Sequence, residues 1–339
     1  MILNLRTIVL FLAFFAGSQF IERSVNAVDI PQSLRVATWN LEWFFDHQTT
    51  GNSDIARQQS APSAAEWKWK VERVANVISQ LKPDILALQE VEGRDQVYEL
   101  VQELKNKHQE TYRYCFIGGY DFGTEQDVAI IYRDGLVEYS RREQTQEMYE
   151  SRKFYNLSKH LIARFQWGSG DAKQNLTVLV AHFRAAAEQE ELRIRQARLA
   201  HEWMSEAAAN GENVLILGDF NSEHSCTDTS SKSDMGVLKG LETPDTNDDF
   251  VDLNTYLPEN IRQTHMGDKE FDRILASNAV IQDSPDRIDM VFSQRIIVRS
   301  DLVITGTKDT DHFNGFYKIP QNERDVSDHY PVMAEFLFK

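Results

Sequence analysis

Cysteine is nearly absent: Cys115 and Cys226 are the only two in 339 residues. With no close Cys/His spacing, a cysteine-built metal site is excluded. At most one disulfide remains, and the sequence does not show whether the two residues meet. Positive charge is also scarce. Thirty-six Lys and Arg stand against 52 Asp and Glu, a formal net charge of −16. Such a chain has no global attraction for nucleic acid or an anionic membrane, so a phosphate-bearing substrate must be met by a local site that includes a metal ion. No Pro/Gly-rich linker or internal repeat interrupts the chain, and its length suits one large domain or two small ones. Past the first 27 residues there is no apolar run long enough to cross a bilayer, and nothing marks a protein partner.

The N-terminus is different. Arg6 precedes an apolar stretch over residues 8–15, and Val25-Asn26-Ala27 has the small-x-small form at which a signal peptidase cuts. A membrane-anchoring helix is the alternative, but Gly17, Ser18, Gln19, Glu22 and Arg23 leave the run too short. The reading is a cleaved signal peptide over 1–27 and a mature domain over 28–339, secreted or periplasmic.

Strand-like apolar runs recur at 35–44, 85–91, 128–133, 161–165, 176–183, 214–220, 271–277, 288–293, 302–306 and 331–338. Several, such as "VLILG" and "LTVLVAHF", are apolar on both faces, which predicts sheets covered on both sides. Ser63-Ala64-Ala65-Glu66 is a capping box for a helix carrying Trp67, Val71, Val74, Ile78 and Leu81, ended at Lys82-Pro83. A second helix carries Val97, Leu100, Val101 and Leu104. A third spans about 188–208 and closes at Asn210-Gly211. The mixture of hairpin neighbours and strand-helix-strand units predicts an α/β protein with mixed sheets. Residues 223–249, rich in Ser, Thr and Asp, read as surface loop.

Polar residues gather at the ends of the apolar runs. "ATWNLEW" carries Asn40 and Glu42, "LALQEV" carries Gln89 and Glu90, and "LVAHF" carries His182. "LILGDFNS" carries Asp219 and Asn221, and "VSDHYPV" carries Asp328 and His329. Singly, each is more often a cap, a loop hydrogen-bonder or a structural histidine. Together they suit phosphoester hydrolysis. Glu90, Asn40 and Asp328 are hard oxygen donors matched to Mg²⁺, with Mn²⁺ or Ca²⁺ as alternatives. Two histidines of near-neutral pKa, each steadied by a carboxylate, can divide the work of general base and general acid.

At these residues the chain resembles the endonuclease/exonuclease/phosphatase superfamily. "TWNLEWF", "LALQEV", "LVAHF", "LILGDFNS" and "SDHYPV" occur in that family's order and cover about 35–338. The resemblance implies a four-layer sandwich, two mixed β-sheets packed face to face with helices on both outer faces, and a metal-dependent site at one end of the sheets. It implies Glu90 as principal metal ligand with Asn40 beside it, Asp328 closing the site and Glu42 as a further candidate. Asp219 and Asn221 would orient water and phosphate, and His182 and His329 would act as acid and base. A histidine at position 182 resembles the deoxyribonuclease I-like and sphingomyelinase-like branches.

Each histidine needs a carboxylate partner. For His182, "GTEQDVAIIYR" offers Glu125 and Asp127, with Asp127 preferred because it abuts the strand. For His329, "EFDRILASNAVI" offers Asp272 and "DRIDMVFS" offers Asp289. Asp272 is preferred, which makes 288–293 the start of an inserted segment. Arg184 is a candidate phosphate contact, His265 a weak candidate for the cleft, and His312 has no assignable role. The expected function is a deoxyribonuclease I-like nuclease acting on DNA. A phosphatase or phosphodiesterase of small phosphoesters, inositol phosphates or phospholipid headgroups is the alternative. A catalytically dead binding domain is disfavoured because all the reactive residues are present.

Overall fold

A computed structural model describes residues 28–284, 286, 288–307 and 312–339; the leader expected at 1–27 lies outside them. Twelve strands form two six-stranded mixed sheets. The first sheet contains β1 (Ser33–Phe44), β2 (Ile85–Val91), β3 (Arg113–Phe116) and β4 (Asp127–Tyr132). The second contains β5 (Leu136–Ser140), β6 (His160–Trp167), β7 (Gln174–His182), β8 (Val214–Asp219), β9 (Phe250–Asp252) and β10 (Asp272–Ser277). The chain then returns to the first sheet with β11 (Met290–Val298) and β12 (Val332–Phe338). The spatial orders are β11-β12-β1-β2-β4-β3 and β5-β6-β7-β8-β10-β9.

The double-sided apolar runs have the cause expected of them. Along β2, Ile85 and Ala87 enter the core between the sheets, while Leu86 and Leu88 join the cluster under the helices Ala64–Leu81 and Arg94–His108. Along β8, Leu215 and Leu217 face the other sheet, and Val214 and Ile216 face the helix Glu190–Ala209. The result is the four-layer sandwich. The first long helix starts as the capping box predicts: Ser63 Oγ accepts from the Glu66 N–H at 3.3 Å, and Lys82 ends it in the left-handed region.

Each sheet has one parallel pair at its centre, β1–β2 and β7–β8, joined by a helical crossover. Every other pairing is antiparallel. In a parallel pair both C-terminal ends fall at the same edge, so the loops leaving the four central strands can share a site. Tight β7–β8 spacing depends on Gly218: a Cβ there would stand 1.9 Å from the Ala181 carbonyl oxygen.

Several local expectations are corrected. Residues 288–293, expected to begin an inserted segment, lead into β11, an edge strand paired along β12 from Met290↔Phe338 to Val298↔Val332. Residues 302–306 form no strand, because Ser300–Leu302 is a 3₁₀ turn and Val303 plugs the helix-side core. The region 223–249 is not all surface: the short helix Asp234–Leu238 is buried, and Asp234 accepts from the buried Arg193 guanidinium at 2.8 Å. Cys115 and Cys226 are both buried and both free.

Candidate active site

The ends of the four central strands converge. Asn40 lies beside Gln89 in the β1–β2 register, and His182 lies beside Asp219 in β7–β8. A register shift between Gln89 and Val91 puts Glu90 in the left-handed region at φ 59°. Glu42, Trp43 and Asn221 have the same unfavourable handedness. Each such non-glycine residue costs roughly 1–2 kcal/mol, and four of them gather where the strands end, as strain does at functional sites.

Asn40 ties the sheets together. Its fully buried side-chain amide donates to Glu90 Oε1 at 3.0 Å and, across the sandwich, to Asp219 Oδ2 at 2.9 Å. Its oxygen accepts from the Glu42 N–H at 2.9 Å, which fixes the amide's orientation. Asn40 was expected as a metal ligand; here its N–H groups face the carboxylates and its oxygen accepts from the backbone, so it holds Glu90 and Asp219 in place. The other Glu90 oxygen accepts from the Trp43 N–H at 3.0 Å.

His329 has the partner preferred from sequence. Its Nδ1 is 2.7 Å from Asp272 Oδ2, and its Nε2 is 3.8 Å from both Asp219 Oδ2 and Asp328 Oδ1. Asp289 lies elsewhere, accepting from the Ser284 N–H. Burial alone would lower the His329 pKa, but the charges of Asp272, Asp328 and Asp219 outweigh it and hold the pKa well above the ordinary imidazole value. These charges favour its imidazolium form.

His182 is different. Its Nε2 is 3.5 Å from Asp219 Oδ2 and 3.9 Å from Glu90 Oε1, and its buried Nδ1 has no partner. The expected partner Asp127 instead accepts from the Gly119 N–H at 2.7 Å, and Glu125 accepts from the Ser53 N–H at 2.8 Å. The residue between them, Gln126, turns to the buried Lys159, which donates to it at 2.9 Å and lies 3.4 Å from Asp121. Burial, then the Lys159 charge, push the His182 pKa down to about 3, so this histidine is neutral. The two histidines therefore sit in unlike surroundings: those of His329 favour the cation and those of His182 the neutral ring.

The remaining candidates divide. Asp328 accepts from His265 Nε2 at 3.4 Å; burial would raise its pKa, but the His329, His265 and His312 charges outweigh that and depress it. His265 Nδ1 accepts from the Gly267 N–H, so in the neutral ring the proton is on Nε2, facing Asp328. Glu42 Oε2 accepts from the Asp328 N–H at 3.0 Å and from the buried His312 at 2.6 Å. The histidine without an assignable role thus holds Glu42 in place. Asn221 donates its backbone N–H to Asp219 Oδ1 and its side chain to the Phe183 carbonyl. Arg184 is exposed, and its backbone N–H donates to Gln196 Oε1 at 2.9 Å. Sequence reasoning missed Lys159, and also Lys70, which is one of five charges between Glu66 and Arg73 but is buried, donating to the Val326 carbonyl at 2.7 Å and feeling the charges of Glu42, Asp328 and Glu90.

Two sets of side chains bring ligand atoms within 4.8 Å of one another: Glu90, His182 and Asp219, and His265, Asp328 and His329. Burial, followed by the negative charge of Asp328, raises the Glu90 pKa to about 7, and one buried oxygen of Asp328 has no partner. Glu90 and Asp328 are hard carboxylate donors with spare acceptor capacity, the kind of ligand a divalent cation takes.

The profile of the Endonuclease/Exonuclease/phosphatase family matches residues 37–329. The chain belongs to that family. Members hydrolyse phosphoester bonds with a divalent metal. Among solved structures, a humanised Danio rerio TDP2 superposes at TM-score 0.55 with 18% identity, covering 90% of this chain and 99% of that one. The human Nocturnin catalytic domain with a bound sulfate gives 0.55 at 17% identity, covering 93% and 97%. D. rerio TDP2 with a single-strand DNA product gives 0.51 at 17% identity, covering 90% and 99%. No curated protein sequence matches.

Proposed function

We propose that this protein is an exported, divalent-metal-dependent phosphodiesterase that cleaves nucleic acid, DNA foremost. The observation that carries this is the chain Asp272–His329 and Asp219–Asn40–Glu90, which brings a histidine whose surroundings favour the cation, a buried aspartate and a metal-ready glutamate together at the ends of the central strands. The likeness to a structure holding a DNA strand supports the choice of substrate.

Asp219 and His182 hold the attacking water. Neutral His182 takes its proton at Nε2, where the new cation is stabilised by Asp219 at 3.5 Å. His329, steadied by Asp272, gives its Nε2 proton to the oxygen that leaves phosphorus. Glu90 and Asp328, with Glu42 beside them, would hold the cation, which when bound offsets charge on the phosphate. Asn40 and Asn221 keep Glu90 and Asp219 aimed.

The net charge of −16 favours a second reading, a small phosphoester as substrate. Purified protein is incubated with plasmid, a single-stranded oligonucleotide and a panel of small phosphomonoesters, with Mg²⁺ and with chelator. Cleaved nucleic acid only with Mg²⁺ is the expected result. Intact nucleic acid alongside rapid release of inorganic phosphate establishes the second reading instead. Export is tested by N-terminal sequencing of the mature protein, expected to begin at Val28.

A further inference from the structure

Beside Glu90 opens a pocket of about 880 Å³. It borders Glu42, Glu90 and Asp328, but neither Asp219 nor His182 lines it. Phosphoryl transfer places the attacking and leaving oxygens in line on opposite sides of phosphorus. With water held at Asp219 and His182, the group on the pocket side is the one that leaves.

The pocket's walls state what that group is. Trp43, Phe313, Phe316 and Tyr317 bring aromatic faces, and Lys318 brings positive charge into a strongly acidic protein, while Arg57 at the same wall is paired with Asp54 and donates to the Asn52 carbonyl. Phe313 is 61% exposed, so it contributes little to the core. Its ring stacks on that of His265, 6.0 Å away at 28°, and His265 reaches Asp328. The wall behind it is firmly built. The buried guanidinium of Arg324 donates to Glu66 at 2.6 Å and to the Tyr317 and Ile319 carbonyls, and lies over the rings of Trp69 and Phe316. Buried Lys70 covers Phe316 from the same helix that carries Trp69. A preorganised pocket that combines flat aromatic faces with cations suits neither a bare sugar phosphate, which has no flat face to stack, nor an acyl chain, which the charged lining would repel.

We propose that this pocket is the leaving-group subsite and that it takes a nucleotide, the base stacked on Phe313 and its phosphate met by Lys318. The assignment rests on the phosphodiesterase reading above and specifies it: the group released carries both a base and a further phosphate.

The test is titration calorimetry on the full chain with Mg²⁺, comparing adenosine 5′-monophosphate with ribose 5-phosphate, which differ only in the base. The monophosphate should bind at least about tenfold more tightly. Phe313→Ala and Phe313→Leu should lose most of that preference, Phe313→Trp should keep it, and Lys318→Ala should weaken both ligands alike. Tyr149→Ala, an exposed aromatic outside the pocket, should leave the preference intact. Equal affinity for the two ligands, or a Phe313→Ala protein with an undiminished preference, overturns the subsite. Hydrolysis of bis(p-nitrophenyl) phosphate by the same preparation separates the two readings. Hydrolysis without a base preference sinks the subsite alone; binding without hydrolysis sinks the phosphodiesterase reading and the leaving-group assignment with it.

Discussion

At the scale of single residues, the two histidines flank Asp219 in unlike surroundings, and only His329 has a carboxylate on its Nδ1. Asp272→Asn should leave the fold intact and lower kcat by about 10²–10⁴, read by steady-state hydrolysis of a chromogenic diester. Because the folded-state pKa of His329 lies above its unfolded value, its stabilising contribution is complete below the unfolded pKa and is lost as pH rises through the folded one. The alkaline limb of the rate profile should follow the same proton, so in Asp272→Asn it moves to lower pH; an unmoved limb refutes His329 as the acid. Asp272 was legible because the Asp-Arg-Ile pattern and the strand end agreed. Asp127 was not the partner because one step along β4 reverses the face of a side chain, and sequence gives no register at that end. The role of Asn40 was illegible for another reason: an amide can ligate or donate, and only the placement of Glu42 and Asp219 decides.

At the scale of elements, the parallel pair β7–β8 sets the spacing of His182 and Asp219, and Gly218 permits it. Gly218→Ala should force Ala181 and its neighbours apart and cost about 3 kcal/mol, measured by urea denaturation; a change below about 0.5 kcal/mol, the scatter of surface substitutions, would show that the strands tolerate a side chain there. The strands missed from sequence are β3, β5 and β9, all short and at or near a sheet edge, and β5 is largely exposed. Edge pairing is won by neighbours, not by an apolar run, so composition carries little signal for it. The central strands and long helices were legible because each has an apolar face to hide, and the Ser63 cap marks its helix chemically.

For the whole molecule, the layer count followed from strands apolar on both faces, which no single-sided sheet could cover. Metal dependence also belongs to this scale. Glu90 holds its proton more tightly folded than unfolded, with a pKa raised to about 7, so without metal its contribution to stability falls as pH rises from the ordinary carboxylate range through 7. A divalent cation competes for the same oxygens. Mg²⁺ at a hundredfold its dissociation constant should then stabilise the protein by about 2.7 kcal/mol at pH 8 and much less at pH 5, seen as a shift in Tm. Equal shifts at both pH values, or a shift retained in Glu90→Gln, would remove Glu90 from the cation site.

The second sheet is one unbroken stretch of chain, β5 to β10, set inside the first, whose last two strands come from the far end of the sequence. Asp272 and Asp219 are in place before His329 emerges just ahead of β12. A growing or partly threaded chain thus completes its catalytic dyad only when the final strand docks between β11 and β1. A fragment lacking the C-terminal segment has neither Asp328 nor His329 and, on the proposed mechanism, should bind its cation poorly and hydrolyse no diester.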